Sequence, residues 1–282
     1  MNTLQRRNRM RNTILITGAS SGIGKATAKL FQNKGWNVVA TMRAPDKEQE
    51  LTKLDNVLVT RLDVTDDVSI KSAIGEGIIK FGKIEVLLNN AGYGAFGPLE
   101  ASEKSRIERQ FNTNVIGLLE TTKAMLSHFR ENRSGIIVNI SSVSGKIALP
   151  LGTLYHGTKF AVEGLSEALQ YELEPIGIKV KIVEPGLIAT DFGGRSFDFA
   201  NDEALQEYQS VVQKMMAVLG NETVQAQGSP ASVVADVIWE AVTDGTNTLR
   251  YTAGEDAKQY IAARKALSDE ELSGGIRKQF GL

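Results

Sequence analysis

The sequence predicts an α/β protein in which about seven parallel strands form a doubly wound sheet with helices on both faces. Short β-branched runs alternate with longer helical patterns, a rhythm that favours a parallel sheet. Several runs, such as residues 136–140, are apolar almost throughout, which is typical of strands buried on both faces. A glycine-rich turn lies between the first strand and the first helix, and this context indicates the Rossmann type of fold.

The hydrophobic periodicity places the strands and helices in order along the chain. The strands are expected at residues 12–17, 37–41, 57–62, 86–89, 135–141, 179–184 and 248–251. The helices are expected at residues 23–34, 46–54, 66–81, 102–131, 155–174, 202–219 and 231–243. Ser229-Pro230 predicts the start of the last of these, as a capping residue followed by a proline at the first helical position.

We expect a single domain over residues 12–282, preceded by a disordered basic tail over residues 1–11. Residues 189–228 interrupt the strand–helix rhythm after the sixth strand. An insertion at the carboxyl end of a strand lies over the ligand crevice of an open α/β sheet. This segment is therefore expected to be a substrate lid and not a second domain.

The composition excludes several kinds of site. The chain has no cysteine, which excludes disulfides, thiolate metal sites and a cysteine nucleophile. It has only two histidines, His128 and His156, so no metal site is expected. A formal net charge of −1 indicates neither a nucleic-acid partner nor an anionic membrane surface, and no apolar run is long enough to span a bilayer. The expected location is the cytoplasm.

The glycine-rich turn, residues 17–24, is suited to bind a phosphate. Gly18 permits a sharp turn, Gly22 lets the backbone approach a pyrophosphate, and Gly24 allows close packing of helix and strand. The N-terminus of the following helix presents free N–H groups to the anion. Glycine turns also serve purely structural ends, but the strand–turn–helix context is the one that phosphate binding requires.

The end of the second strand predicts which dinucleotide is preferred. NAD-selective enzymes usually place an acid there, whereas this chain has Arg43. An arginine can form charge-assisted hydrogen bonds with the 2′-phosphate of NADP(H), and Ser20 can add a hydroxyl donor. NADP(H) is therefore the expected cofactor. The alternative is that Arg43 is a solvated loop charge.

Tyr155 and Lys159 are four residues apart at a predicted helix start, so their side chains lie on one helical face. A neighbouring cation draws the pKa of a phenol down toward working pH. Ser141-Ser142 ends the preceding strand, and only one of the two hydroxyls can face the same carbonyl oxygen. The separation from Tyr155 favours Ser142. His156 should point to another side of the helix and is assigned no role.

These motifs occur together, in order, from residue 12 to about residue 251. They are Thr17-Gly18-x-x-x-Gly22-x-Gly24, Asp63-Val64, Asn89-Asn90-Ala91-Gly92, Asn114, Ser142, Tyr155-x-x-x-Lys159, and Pro185-Gly186 followed by Thr190. In this combination the chain resembles the short-chain dehydrogenase/reductase family. The stretch Thr41-Met42-Arg43 and the length of the lid resemble its hydroxysteroid- and retinol-dehydrogenase-like branch.

The resemblance implies a role for each catalytic residue. Tyr155 would be the general acid in reduction and the base in oxidation, and Lys159 would hold the nicotinamide ribose and lower the pKa of the tyrosine. Ser142 would bond the substrate oxygen, and Asn114 would help hold a water that relays protons to Lys159. Asn114 can also be an ordinary polar helix residue.

The resemblance also implies a cofactor site. Its residues would be Gly18, Ser20, Ser21, Gly22, Ile23, Gly24, Arg43, Asp63, Val64, Asn90, Ala91, Gly92, Tyr155, Lys159, Pro185, Gly186, Ile188 and Thr190. Two of them have structural alternatives: Asp63 can be a turn residue before the third helix, and Asn90, with Asn89, can close the fourth strand.

The expected substrate pocket is mostly apolar. It would be lined by Ser142, Tyr93, Phe96, Leu149, Leu187, Phe192 and residues of the lid. A lipophilic ketone, aldehyde or secondary alcohol is therefore expected as the substrate. Two alternatives remain open, a redox-neutral dehydratase or epimerase on the same scaffold and a non-enzymatic NADPH sensor. Both a homodimer and a homotetramer are compatible with the sequence.

Overall fold

The strands that the structure describes form one central sheet and two small ribbons. The computed structural model describes residues 11–189, 196–221 and 228–282. Its strands are β1 (Thr13–Ile16), β2 (Asn37–Met42), β3 (Val57–Arg61), β4 (Val86–Asn89), β5 (Gly94–Phe96), β6 (Gly135–Ile140), β7 (Ile178–Pro185), β8 (Ile188–Ala189), β9 (Phe197–Phe199), β10 (Ser229–Pro230) and β11 (Arg250–Ala253). Within the described residues, seven of them form a parallel sheet in the order β11-β7-β6-β4-β1-β2-β3. The expected doubly wound α/β fold is confirmed.

Helices cover both faces of this sheet. They are α1 (Gly22–Asn33), α2 (Asp67–Phe81), α3 (Lys104–Phe111), α4 (Gly117–Asn132), α5 (Thr153–Leu173), α6 (Gln206–Leu219), α7 (Ala231–Thr243), α8 (Glu255–Ala266) and α9 (Asp269–Phe280). Successive strand residues point to opposite faces, so Ile14 joins the core under α1 and α7 whereas Leu15 joins the core under α2 and α4. None of the helices in the described ranges is both long and apolar enough to cross a bilayer.

The prediction of a helix at residues 46–54 is wrong. The chain instead makes two short 3₁₀ turns, Pro45–Lys47 and Leu51–Lys53. The Glu48 carboxylate accepts hydrogen bonds from the backbone N–H groups of Glu50 and Leu51 at 2.8 and 3.0 Å. A continuous helix would direct those N–H groups to backbone carbonyls four residues earlier, so the side chain competes with the helix.

The single helix expected at residues 102–131 is divided. A π-helical turn, Asn112–Ile116, separates α3 from α4. The extra residue in such a turn re-aims the side chains around it, and the turn contains Asn114.

Two elements near the end of the chain also differ from expectation. Ser229-Pro230 is not a cap with a first-turn proline: both residues are extended, and they pair with Ile188–Ala189 as β10 and β8. Pro230 itself is the N-cap position of α7 and makes no side-chain capping bond. The strand expected at residues 248–251 lies two residues later, at Arg250–Ala253.

The carboxyl ends of the central strands bring the predicted motifs to one edge of the sheet. β1 ends before Thr17, β4 before Asn90, β6 before Ser142, and β7 at Pro185. In open α/β sheets this edge forms the ligand crevice.

Candidate functional site

The turn after β1 has the backbone shape that a phosphate cradle needs. Gly18 and Gly22 have φ of +69° and +53°, a region that other residues rarely adopt. A Cβ at Gly24 would collide with the Gly18 carbonyl. α1 begins at Gly22, within this glycine-rich segment, so its first N–H groups are directed toward the crevice. The half-buried residues Ser20, Ser21 and Ile23 continue the same turn.

Asn90 joins this turn to β4. Its Nδ2 atom donates to the carbonyls of Thr17 and Gly18 at 2.9 and 3.0 Å. The Thr17 hydroxyl in return accepts the backbone N–H groups of Asn90 and Ala91 at 2.9 and 3.0 Å. The structural role predicted for Asn90, bonding to backbone groups at a strand end, is therefore observed, and these bonds also fix the position of the turn.

Arg43 follows the end of β2 and is exposed. Its side chain forms no hydrogen bond or ion pair with the rest of the described chain. The segment behind it is fixed to α1, because Lys25 pairs with Glu48 at 3.3 Å and with Glu50 at 2.8 Å. The guanidinium is thus available to a ligand at this edge of the sheet.

Asp63 follows β3 and organises its own turn. Its carboxylate accepts the backbone N–H and the hydroxyl of Thr65 at 3.0 and 2.8 Å. Val64 is buried against Gly117 of α4. The turn role is therefore observed for Asp63, and a contact with adenine stays a prediction.

Asn114 links three parts of the site. Its Oδ1 atom accepts the backbone N–H of Tyr93 at 3.1 Å, and its Nδ2 atom donates to the Tyr93 carbonyl at 2.9 Å and to the Thr158 hydroxyl at 3.1 Å. A Cβ at Gly92 would lie 3.2 Å from Asn114 Oδ1. The π-helical turn thus holds Asn114 between the segment after β4 and α5.

Ser142, not Ser141, faces the tyrosine. The Ser142 hydroxyl donates to the Pro185 carbonyl at 3.3 Å and accepts the Ser144 N–H at 3.1 Å. It also lies close enough to the Tyr155 phenol to lower the pKa of that group. The Ser141 hydroxyl is buried near Gly145 and has no partner within the described residues.

Tyr155 and Lys159 are both buried on one face of α5. Burial raises the pKa of Tyr155 to about 12, and the nearby Ser142 hydroxyl offsets only part of that rise. The expected lowering of this pKa by Lys159 is not found in the structure, in which Lys159 Nζ donates to the Ile140 carbonyl at 2.8 Å. Burial lowers the pKa of Lys159 to about 8. The phenol is therefore neutral and a proton donor, and the lysine titrates near physiological pH.

An apolar cluster surrounds Tyr155. Phe96 lies 5.2 Å from both Tyr155 and Phe197, measured between ring centres. Met215 of α6 and Phe280 of α9 are buried in the same cluster. Two predicted pocket residues, Phe96 and Leu149, belong to it.

Two other predicted pocket residues, Tyr93 and Leu187, are not part of this cluster, and their contact with a substrate stays a prediction. The Tyr93 hydroxyl accepts from Arg109 at 3.2 Å, and Leu187 is exposed. Phe192 and Thr190 lie outside the described residues, as do residues 1–10 of the expected tail and residues 190–195 and 222–227 of the expected lid.

The segment after β7 is held by residues late in the chain. Gly186 donates its N–H to the Ala253 carbonyl at 3.0 Å, and Leu187 donates to the Asp256 carboxylate at 2.6 Å. A Cβ at Gly186 would collide with that carboxylate. Ile188 is part-buried against the core. Sequence reasoning missed Asp256, since no motif marks it.

His156, to which the sequence assigns no role in the chemistry, has a structural role. It is buried, and its Nε2 atom accepts the Leu149 N–H at 3.0 Å while Nδ1 lies 3.1 Å from the Ser144 carbonyl. A carbonyl can only accept, so Nδ1 carries the proton. The ring therefore braces the segment that follows Ser142.

Phe280 was also missed. It lies in the final helix, which begins with a capping box formed by Ser268 and Glu271. That pair was the available signal for α9. No local pattern indicates that the helix returns to Tyr155.

Comparisons with known proteins agree with this geometry. A family model described as short chain dehydrogenase matches residues 12–201. The chain is 43% identical over 241 residues to an uncharacterized oxidoreductase of Schizosaccharomyces pombe, covering 86% of this chain and 100% of the relative. It is 42% identical over 179 residues to the 3-ketodihydrosphingosine reductase of Bacteroides thetaiotaomicron, covering 64% and 65%. Retinol dehydrogenase 8 of Bos taurus is 32% identical over 260 residues, covering 85% and 82%.

Solved structures share the fold. A short-chain dehydrogenase from Streptomyces avermitilis superposes with a TM-score of 0.83 at 31% identity, covering 97% of this chain and 98% of that one. The NADP complex of a protein named ElxO gives 0.72 at 29% identity, covering 89% and 100%. A family member from Burkholderia phymatum in complex with NAD gives 0.77 at 23% identity, covering 93% and 94%, and shows the fold alone.

Proposed function

Because the chain belongs to the short-chain dehydrogenase/reductase family of oxidoreductases, we propose that it interconverts a lipophilic ketone or aldehyde and its alcohol with NADP(H) as cofactor. The observation that carries this proposal is the buried Tyr155 phenol, which lies beside Ser142 and one helical turn from Lys159. Such a group donates a proton to a carbonyl oxygen without competition from water.

The glycine turn fits a dinucleotide. Gly18 and Gly22 have left-handed backbone, and a Cβ at Gly24 would collide with the Gly18 carbonyl, so the turn keeps its shape only with glycine at that position. Residues of the turn would hold the pyrophosphate, Asn90 and Lys159 would border the ribose, and Pro185 and Gly186 would border the nicotinamide. When bound, the cofactor supplies or accepts the hydride.

The preference for NADP(H) rests on Arg43. Its exposed guanidinium stands where an acid would repel a 2′-phosphate. The NADP complex of ElxO, at 29% identity, supports the same preference.

Side chains of the protein orient the substrate and transfer the proton. In reduction, Ser142 orients the substrate oxygen and Tyr155 donates its phenolic proton to it. The Lys159 ammonium then stabilises the phenolate that remains. Asn114, which joins Tyr93 to Thr158, holds α5 beside the cofactor segment.

The apolar cluster around Tyr155 supports a lipophilic substrate. Phe96 and Phe197 offer aromatic faces in the cluster around the Tyr155 ring. The names of two relatives, a 3-ketodihydrosphingosine reductase and a retinol dehydrogenase, point to the same class of compound. Residues 189–228 would serve as the lid of a single domain: β9 pairs with β5, and Arg106 of α3 donates to the Asp198 carbonyl at 2.6 Å.

The test follows NADPH absorbance with a panel of apolar ketones and aldehydes. We expect turnover that falls by roughly 10²- to 10⁴-fold in Tyr155→Phe. Tyr171→Phe, which changes an exposed tyrosine of the same helix, is the matched control. Tight NADPH binding without turnover of any carbonyl would instead favour a redox-neutral reaction or a sensor.

A further inference from the structure

Glu163 lies one helical turn after Lys159 on α5, so the two side chains share a face of the helix. Both are buried: their exposed fractions are 4% for Glu163 and 9% for Lys159. A Cβ at Gly145, in the turn after Ser142, would lie 2.8 Å from Glu163 Cγ and 2.9 Å from the Lys159 carbonyl. The glutamate therefore packs directly beneath the candidate site.

Two cations hold this carboxylate by one oxygen. Glu163 Oε2 lies 3.0 Å from Lys146 Nζ and 2.9 Å from Arg250 Nε. The other oxygen, Oε1, is buried and has no hydrogen-bond partner in the described part of the chain. The carboxylate is thus fixed in place, while one of its oxygens remains unsatisfied.

Glu163 belongs to a cluster of charged side chains. Glu184 of β7 lies 4.0 Å from Lys146 and 3.8 Å from Arg250, and Glu167 pairs with Arg250 at the surface. The charged groups that face one another here come from α5, the turn after Ser142, β7 and β11: Lys159, Glu163, Glu167, Lys146, Glu184 and Arg250. Burial and the negative charge of Glu163 raise the pKa of Glu184, so Glu184 adds less negative charge to this cluster than Glu163, which pairs with both Lys146 and Arg250.

We propose that Glu163 is a positioning residue of the proposed reaction, the fixed counter-charge that keeps Lys159 in its ammonium form. Burial lowers the pKa of Lys159, and the negative charge of Glu163 opposes that effect. The titratable side chains Tyr155 and His156 also lie on this helix, and both are uncharged at neutral pH. The inference rests on the proposed function, but the charge state of Lys159 can be measured without turnover.

The first measurement is the titration of Lys159 by ¹³C NMR of the lysine Cε in cofactor-free protein. Glu163→Gln keeps the shape of the side chain and removes its charge. We expect the Lys159 midpoint to fall by roughly one pH unit or more, the range expected for loss of an opposite charge nearby. Glu167→Gln, an exposed change on the same helix that also affects Arg250, should leave the midpoint unchanged.

The second measurement is the pH profile of NADPH-dependent reduction. In Glu163→Gln the alkaline limb should move to lower pH, with roughly tenfold less activity at pH 8 and recovery near pH 6. A uniform loss at every pH, with an unmoved Lys159 midpoint, would show a merely structural role and overturn the proposal. If Glu163→Gln does not fold, Glu163→Asp, which withdraws the charge by one methylene, should still lower the midpoint, and no change would overturn the proposal.

These two readouts separate the inference from the proposed function. A lowered Lys159 midpoint in a protein that reduces no carbonyl would support the counter-charge and reject the reductase. Turnover of a carbonyl with an unchanged Lys159 midpoint would support the reductase and reject the counter-charge.

Discussion

The ammonium nitrogen of Lys159 lies 5.7 Å from the centre of the Tyr155 ring, and it donates a hydrogen bond to the Ile140 carbonyl. The two groups are buried side by side with shifted pKa values: that of Tyr155 is raised to about 12 and that of Lys159 is lowered to about 8. Of the two, only the lysine changes its charge in the range where most proteins are stable.

The rate of carbonyl reduction should therefore fall above about pH 8. The ammonium is lost there, and with it the charge that stabilises the phenolate. The profile of kcat/KM between pH 6 and pH 10 measures this. In Lys159→Arg the guanidinium does not titrate in this range, so the alkaline limb should disappear even if the rate is lower. A limb that is the same in both proteins would contradict the assignment.

Arg43→Ala should weaken NADPH binding by roughly ten- to a hundredfold and leave NADH binding nearly unchanged, because hydrogen bonds to charged groups contribute about 1.5–3 kcal/mol. Dissociation constants for both cofactors provide the measurement. Arg61→Ala removes another exposed arginine, at the end of β3, and should change neither constant. Equal weakening of NADPH and NADH by Arg43→Ala would count against a 2′-phosphate contact.

Asp256→Ala should raise the KM for NADPH several-fold, because the Leu187 N–H loses its partner and the segment after β7 loosens. Asp256→Asn retains an oxygen acceptor and should recover most of the affinity. Glu255→Ala, at the exposed neighbouring position, is the control. Equal effects of the Ala and Asn changes would mean that the charge, and not the hydrogen bond, matters.

The stability of the protein should depend on His156 at mildly acidic pH. Burial lowers the pKa of His156, so the unfolded chain takes up a proton at a higher pH than the folded one. The stabilisation is complete above about pH 6.5, the ordinary pKa of histidine, and is lost as the pH falls below it. We expect the fall in Tm between pH 7.5 and pH 5.5 to be smaller in His156→Gln than in the wild type. Parallel falls would contradict this linkage.

Phe280→Ala should enlarge the apolar cluster beside Tyr155. Removal of the buried Phe280 ring leaves a cavity, so the free energy of unfolding should fall by on the order of 3 kcal/mol. The ratio of kcat/KM for bulky over small ketones should rise. Leu282→Ala changes an exposed residue of the same terminus and should leave the ratio unchanged. A loss of stability with an unaltered ratio would place Phe280 outside the substrate pocket.

The sequence by itself determined the sheet and the catalytic motifs. Strand periods and apolar runs are local properties, so all seven strands of the central sheet were predicted within two residues of their observed bounds. The glycine turn and the Tyr155–Lys159 spacing depend on neighbours along the chain, and both lie where the sequence placed them.

Only the tertiary structure decided which distant residues contact the sheet and the catalytic motifs. The helix expected at residues 46–54 does not form, because the Glu48 carboxylate binds backbone N–H groups and Lys25. The helix expected at residues 102–131 is divided by the π-helical turn, where Asn114 bonds Tyr93 and Thr158. Asp256 and Phe280 meet the site from the last thirty residues, far from it in sequence. The pKa values of Tyr155 and Lys159 follow from burial, and burial depends on which elements pack together, so no local pattern of residues could have predicted them.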